Sequence, residues 1–217
     1  MNLTRKVLQF LAARLIHEEW ESLYPVLILE YRKYIHSKES GPPVTAQRLL
    51  ISGEDHRFFF HPGFDLIAIC RAINRLLILG IVEGASTIEQ QIVRVLTDRY
   101  ERTMKRKVKE ILLAVLLTRA VPKGDLPGLY LQIGYYGWRM NNFRQACARL
   151  GLDATAMSLR EAAGLVARLK YPEPRAVSAK RETQIARRAN HLMNLHALHA
   201  STSVYRGLPW KVAHASV

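Results

Sequence analysis

The chain has 217 residues, 49% of them apolar, enough for one sizeable core and too few for two ordinary domains with linkers. Thirty-two Lys and Arg against eighteen Asp and Glu give a formal net charge of +14, which favours a polyanionic partner: nucleic acid, an anionic membrane surface or a phosphorylated substrate. The two cysteines, Cys70 and Cys147, lie in apolar helical contexts without Cys/His ligand spacing; this argues against a structural zinc site and makes both of them expected core residues.

From the N-terminus, residues 1–20 are basic and then apolar, but Gln9, Arg14 and His17 interrupt the run and no small-residue cleavage site follows. This reads as an amphipathic helix with Val7, Leu11 and Leu15 on one stripe, not as a secretory signal. Helical spacing continues over 19–35, with Pro25 and Gly41-Pro42-Pro43 as stops. Residues 64–82 are the most hydrophobic stretch and about the length of a membrane span. Arg71, Asn74 and Arg75 in its middle make spanning costly, so a helix lying in the membrane interface, or packed on a core, fits better. Helical periods recur at 87–97, 103–120, 125–133, 142–150, 158–170 and 180–199, and no β-type alternation accompanies them. Ser86-x-x-Glu89 and Ser158-x-x-Glu161 have capping-box spacing. The expected fold is mainly α: an N-terminal helical extension over 1–44, one domain over 45–199, and a loose tail over 200–217.

Three polar clusters carry the chemistry. In EDHRFFFHPG (54–63), Glu54 and Asp55 precede three phenylalanines; a carboxylate held against aromatic rings loses solvation and suits general acid/base work. The same pattern also occurs in ordinary surface loops, and His61 is expected to anchor the turn at Pro62-Gly63. In GASTIEQQ (84–91), Ser86 and Thr87 offer hydroxyls at a helix N-terminus, where the exposed N–H groups attract anions, and Gln90 and Gln91 follow one turn in. Helix capping alone would also explain the two hydroxyls. In residues 99–109, six of eleven are Arg or Lys. Arg102, Arg106 and Glu110, spaced by four with Lys109 beside them, would project from one side of a helix. They suit a solvated charged face or, more sharply, a pyrophosphate clamp, because Arg binds phosphate oxygens bidentately. No nucleic-acid motif accompanies this run, which makes nucleic acid the less favoured partner.

Together the clusters resemble the motifs of the peptidoglycan glycosyltransferases of family 51, the polymerase module of bifunctional penicillin-binding proteins and of monofunctional transglycosylases. The first motif is matched by Glu54, Asp55, Phe58, His61 and Gly63, followed by Asp65 and Arg71-Ala72. The second is matched by Gly84, Ser86, Thr87, Ile88, Gln90 and Gln91, and the third by Arg106, Lys107, Glu110 and Ala114. A looser match runs through YLQIGYYGWRMNNF (130–143), where Tyr130, Leu131, Tyr135 and Gly137 are retained, Gln132 stands for Asn, and Arg139 and Asn142 stand for glycines. A further segment is SLREAAGLVARLKYPEP (158–174). Where the family usually has Lys-Asn after the second motif, this chain has Arg94 and Val95.

The resemblance implies a lysozyme-like helical lobe with a smaller membrane-associated jaw, to which 64–82 would correspond. It implies polymerisation of lipid II with inversion at C1 and release of undecaprenyl pyrophosphate. Glu54 would be the general base. Glu110 would position the donor pyrophosphate, directly or through a divalent metal (Mg or Mn), and no organic cofactor is implied. Lys109, Arg102 and Arg94 would neutralise the pyrophosphate. Ser86 and Gln91 would line the donor side, Arg71 would contact phosphate near the acceptor, and Asp55, Phe58, Thr87, Gln90 and Arg106 would belong to the substrate-binding surface. The partners would be lipid II, the nascent glycan strand and the membrane surface, at the outer face of the bacterial inner membrane. With no Ser-x-x-Lys in the chain, a single glycosyltransferase activity is expected. Two alternatives remain open at this point: a degenerate homologue that binds lipid II without turnover, and a lysozyme-like glycan-cleaving enzyme, for which the basic third cluster has no obvious task.

Overall fold

In the computed structural model, which describes residues 3–81, 84–176 and 178–208, ten α-helices account for the regular structure of the described residues. They are α1 (Leu3–Leu15), α2 (His17–His36), α3 (Val44–Glu54), α4 (Leu66–Leu79), α5 (Ile88–Thr97), α6 (Met104–Ala120), α7 (Leu126–Ile133), α8 (Phe143–Leu150), α9 (Leu159–Lys170) and α10 (Ala179–His199). The mainly α class follows the periodicity, and β structure among the described residues is confined to isolated bridges at Gly137.

Three local expectations change. Helix α3 was not anticipated, although Ala46, Leu49 and Leu50 provide a buried stripe just after the Pro42-Pro43 break. Its consequence is large, because Glu54 becomes the last residue of a helix instead of part of a loop. Pro25 does not stop α2, which runs through it; the buried Leu23 and Leu27 on either side hold the helix in place. Cys70 is exposed on α4 and only Cys147 is buried, because α4 has no buried residue at all.

The chain divides into two compact units that interleave along the sequence, one comprising residues 1–29 and 60–122 and the other 30–59 and 123–217. In the first unit α6 packs on α1 and α5, burying Leu113 to Leu117 with Ile88, Ile92 and Val93. The buried His61 ring accepts from Gly63 N at 3.3 Å, anchoring the turn as expected. Gly63 has φ +119°, and a Cβ there would lie 2.6 Å from the Ala114 carbonyl oxygen of α6, so this close approach requires glycine. Asp65 caps α4 by accepting from Ile67 N and Ala68 N.

In the second unit α3 packs against α7, α9 and α10. A neighbouring cluster of Tyr136, Met140, Phe143, Ala146, Cys147 and Leu165 fills the space under the 134–143 turn. The two departures from glycine there have different outcomes. Arg139 takes φ +59°, a left-handed conformation that costs a non-glycine residue roughly 1–2 kcal/mol. Asn142 becomes the N-cap of α8, its side chain accepting from Gln145 N at 2.9 Å. Ser158 and Glu161 form the expected reciprocal capping box.

Of the stretch read as a loose tail, residues 209–217 lie outside the described residues. The preceding part holds a 3-10 turn at Ser203–Tyr205, with Tyr205 buried. Its hydroxyl bonds Ser52 and lies 2.8 Å from His196 Nδ1, and His199 Nδ1 lies 3.1 Å from Ser52 Oγ. Burial pushes both histidines below their ordinary value of 6.5, aided by the charge of Arg48 and His199 on His196 and of His56 on His199. The folded chain therefore holds them neutral, while the unfolded chain takes up protons more readily. Their contribution to stability is complete above about pH 6.5 and is lost as pH falls through the folded values. A urea midpoint lower at pH 5 than at pH 7.5, with the difference reduced in His196→Gln, is the expected outcome.

Candidate active site

In the first unit the second and third sequence clusters meet. Helix α5 is capped by Thr87, whose hydroxyl accepts from Gln90 N at 3.3 Å and donates to the Gly63 carbonyl at 2.8 Å. The cap is thus one residue later than the expected capping box, and Thr87 is a buried structural residue. The shift releases the Ser86 hydroxyl, which accepts from Lys107 Nζ at 2.9 Å and from Arg94 Nη2 at 3.4 Å.

The centre of this constellation is Glu110 on α6, 3% exposed. Arg94 clamps it with two bonds, Nε to Oε2 at 3.1 Å and Nη2 to Oε1 at 2.9 Å. Lys107 reaches Oε1 at 2.9 Å, and Arg106, one turn before Glu110, donates to Oε2 and to the Glu101 carbonyl. Lys107 also donates to Gln90 Oε1. Gln90 is fully buried, and its amide nitrogen has no hydrogen-bond partner among the described residues, an orphaned donor beside a cationic cluster. Burial opposes ionisation of Glu110, but the bonds from Arg94 and Lys107 and their charges outweigh it and hold the carboxyl below its ordinary value. Lys107 is held below the ordinary lysine value, first by burial and then by repulsion from Arg94 and Arg106, with Glu110 opposing. Three cations thus answer one carboxylate, and two positive charges remain for an incoming anion.

The expected clamp is therefore altered in membership. Lys109 turns away to pair with Glu19 on α2. Arg102 precedes the helix, which begins after the Thr103 cap, and is exposed, so it does not share the face of Arg106 and Glu110. Lys107 takes the place assigned to Lys109, a role visible in its i,i+3 spacing to Glu110. Gln91 is half-buried on α5, and Arg71 lies half-buried on α4. A divalent metal at Glu110 meets a poor donor set, since both carboxylate oxygens already face cations.

In the second unit Glu54 ends α3, and its partner is a guanidinium: Arg188 Nη2 on α10 donates to Glu54 Oε1 and to the Gly53 carbonyl, both at 2.7 Å. The carboxylate retains 21% exposure. Arg188 was not picked out from sequence, because it lies 134 residues away in an Arg-rich helix. Phe58 is fully buried and has Lys123 over its ring at 4.5 Å, and Asp55 is buried at the C-cap of α3. Both are placed as core residues that support the Glu54 turn.

The family described as Transglycosylase matches residues 26–196, beginning inside the stretch read as an N-terminal extension. Penicillin-binding protein 1A of Aquifex aeolicus is 35% identical over 152 residues, 69% of this chain and 21% of that protein. Penicillin-binding protein 1A of Escherichia coli is 34% identical over 132 residues, 60% of this chain and 16% of that protein. Penicillin-binding protein 1F of Bacillus subtilis is 38% identical over 96 residues, 44% of this chain and 13% of that protein. The chain spans about a fifth or less of the length of these relatives. With residues 26–196 matched by the family, this chain belongs to the transglycosylase family, the peptidoglycan glycosyltransferases of family 51.

Proposed function

We propose that this chain polymerises lipid II into glycan strands. The observation that carries the reading is the Glu110 cluster, in which Arg94, Arg106 and Lys107 leave a net positive charge beside the Ser86 hydroxyl and the orphaned Gln90 amide. A hydrolase acting on finished strands needs no such charge, whereas a pyrophosphate leaving group does. In the proposed reaction Glu54 takes the proton from the 4-hydroxyl of the acceptor GlcNAc. That oxygen attacks C1 of the donor MurNAc from the face opposite the pyrophosphate and inverts the centre. The C1–O bond breaks, and its electron pair leaves on undecaprenyl pyrophosphate. Arg188 holds one Glu54 oxygen and so orients the base. Arg94, Arg106 and Lys107 stabilise the charge growing on the leaving group. No step is routed through a metal, and the proposal assigns these residues glycosyl transfer alone.

Association with a membrane surface, at the outer face of the bacterial inner membrane, belongs to the same proposal. No helix of the described residues is long and apolar enough to cross a membrane. Helix α4 instead exposes Leu66, Ile67, Ile73, Leu76, Leu77 and Ile78, the composition of a helix that lies in the interface, and it corresponds to the jaw implied by the resemblance. The double substitution Leu77→Glu and Ile78→Glu is expected to weaken sedimentation with anionic vesicles by about tenfold or more, with the helical circular dichroism signal retained.

The proposed reaction is tested by incubating the chain with labelled lipid II in detergent. Glycan ladders together with free undecaprenyl pyrophosphate support it. Lipid II that is bound and never converted would replace it with the reading of a binding homologue.

A further inference from the structure

A second concentration of positive charge lies in the other unit and has no part in the reaction proposed above. Helices α8, α9 and α10, with Glu173, Pro174, Arg175 and Ser178, line an open cavity of about 350 Å³, within the size range of small-molecule sites. Five guanidiniums line it: Arg149, Arg160, Arg168, Arg175 and Arg181. They share it with two carboxylates, Glu173 and Glu182, an excess of three positive charges. Only Arg168 is neutralised, its Nε lying 2.7 Å from Glu173 Oε2. The other four make no ion pair among the described residues.

Solvated surface arginines normally diverge. Here two are held in place by an indole: Arg149 and Arg175 lie 5.1 and 5.6 Å from the Trp138 ring centroid, a cation–π arrangement that fixes their heads. Arg181 is set over the Tyr171 ring at 5.8 Å. The first turn of α10 opens on the same cavity through its cap Ser178, which adds the positive end of a 21-residue helix. Ile185 and Ala189 supply an apolar wall. Arg149, Arg160 and Arg175 are exposed and Arg168 and Arg181 half-buried; like charges gathered on one concave surface repel one another until an anion enters, and guanidinium geometry favours planar or tetrahedral oxyanions.

We infer that this cavity is a binding site for a small oxyanion of two or three negative charges with an apolar portion, phosphate- or carboxylate-bearing. The site shares no residue with the Glu110 cluster, which belongs to the first unit. The neighbouring α10 residue Arg188 faces Glu54, so an occupant would lie one helix face from the candidate base.

The test is calorimetric titration of the full chain at constant ionic strength with inorganic pyrophosphate and, separately, with citrate. The background is Arg94→Gln with Lys107→Gln, which removes the other cationic cluster. Micromolar binding that weakens at least tenfold in Arg149→Gln with Arg160→Gln and Arg175→Gln, and not in the charge-matched Arg99→Gln with Lys105→Gln and Arg14→Gln, supports the site. Preference for pyrophosphate assigns a phosphorylated ligand, and equal or better binding of citrate assigns a carboxylate ligand. Binding unchanged in the cavity variant, or lost equally in the charge-matched control, overturns the inference.

Discussion

Replacing Glu110 by Gln is expected to destabilise the chain and to abolish most polymerisation at the same time. The carboxylate is 3% exposed and takes bonds from Arg94, Arg106 and Lys107, whose side chains are 17–28% exposed. Breaking a fully buried ion pair by removing one partner costs about 3–5 kcal/mol. Solvent reaching the three cations reduces this, so a loss of about 2–3 kcal/mol is expected by chemical denaturation. The lost interaction also works against the cluster, since three cations would face one another without a counter-charge and would separate. Loss of a preorganised electrostatic group typically costs about 10²–10³ in turnover, and that is the decrease expected in lipid II consumption. Lys107→Gln separates the two effects, because it removes a cation and relieves repulsion: activity should fall while stability changes little. The pH response follows the sign of the Glu110 shift. Since its folded value is depressed, the stabilisation is present above the ordinary carboxylate range and is lost as pH falls through the folded value.

The second large effect is expected at Glu54. Gln keeps the size of the side chain and an oxygen for the Arg188 bond but cannot accept a proton at neutral pH. A positioned general base contributes about 10²–10⁴-fold, so Glu54→Gln should lower the maximal rate by about 10³-fold, with lipid II affinity and thermal stability close to those of the wild type. Arg188→Gln is the complementary variant. It removes the guanidinium bond and leaves the base in place, so it should reduce the maximal rate less than Glu54→Gln does, with lipid II affinity little changed.

The helical class and most helix boundaries were legible in the sequence because the apolar periods of α5 to α10 are long and bounded by Ser, Thr, Gly or Pro. The motif residues were legible because they are dense and local. What escaped depends on distance or on a single residue of register. The Glu54–Arg188 pair spans 134 positions, and nothing in a run of arginines on α10 tells which one turns toward α3. Helix α3 was missed because its stripe is short and follows two prolines. The cap of α5 was placed at Ser86 instead of Thr87, and that one-residue difference decides which hydroxyl is structural and which faces the cations. Arg102 and Lys109 were assigned to the clamp from helical spacing and from the family resemblance. A helix start at Met104 removes the first, and Glu19 on α2 captures the second. The arginine cavity was invisible because its members come from α8, α9, α10 and the connection between them.

The most direct test of the proposal is a single-turnover comparison of wild type and Glu54→Gln on labelled lipid II, with lipid II binding measured on the same preparations. The proposal predicts that both proteins bind, that only the wild type builds glycan strands, and that each new linkage releases one undecaprenyl pyrophosphate. Equal strand formation by both proteins, or binding without turnover by the wild type, would contradict it.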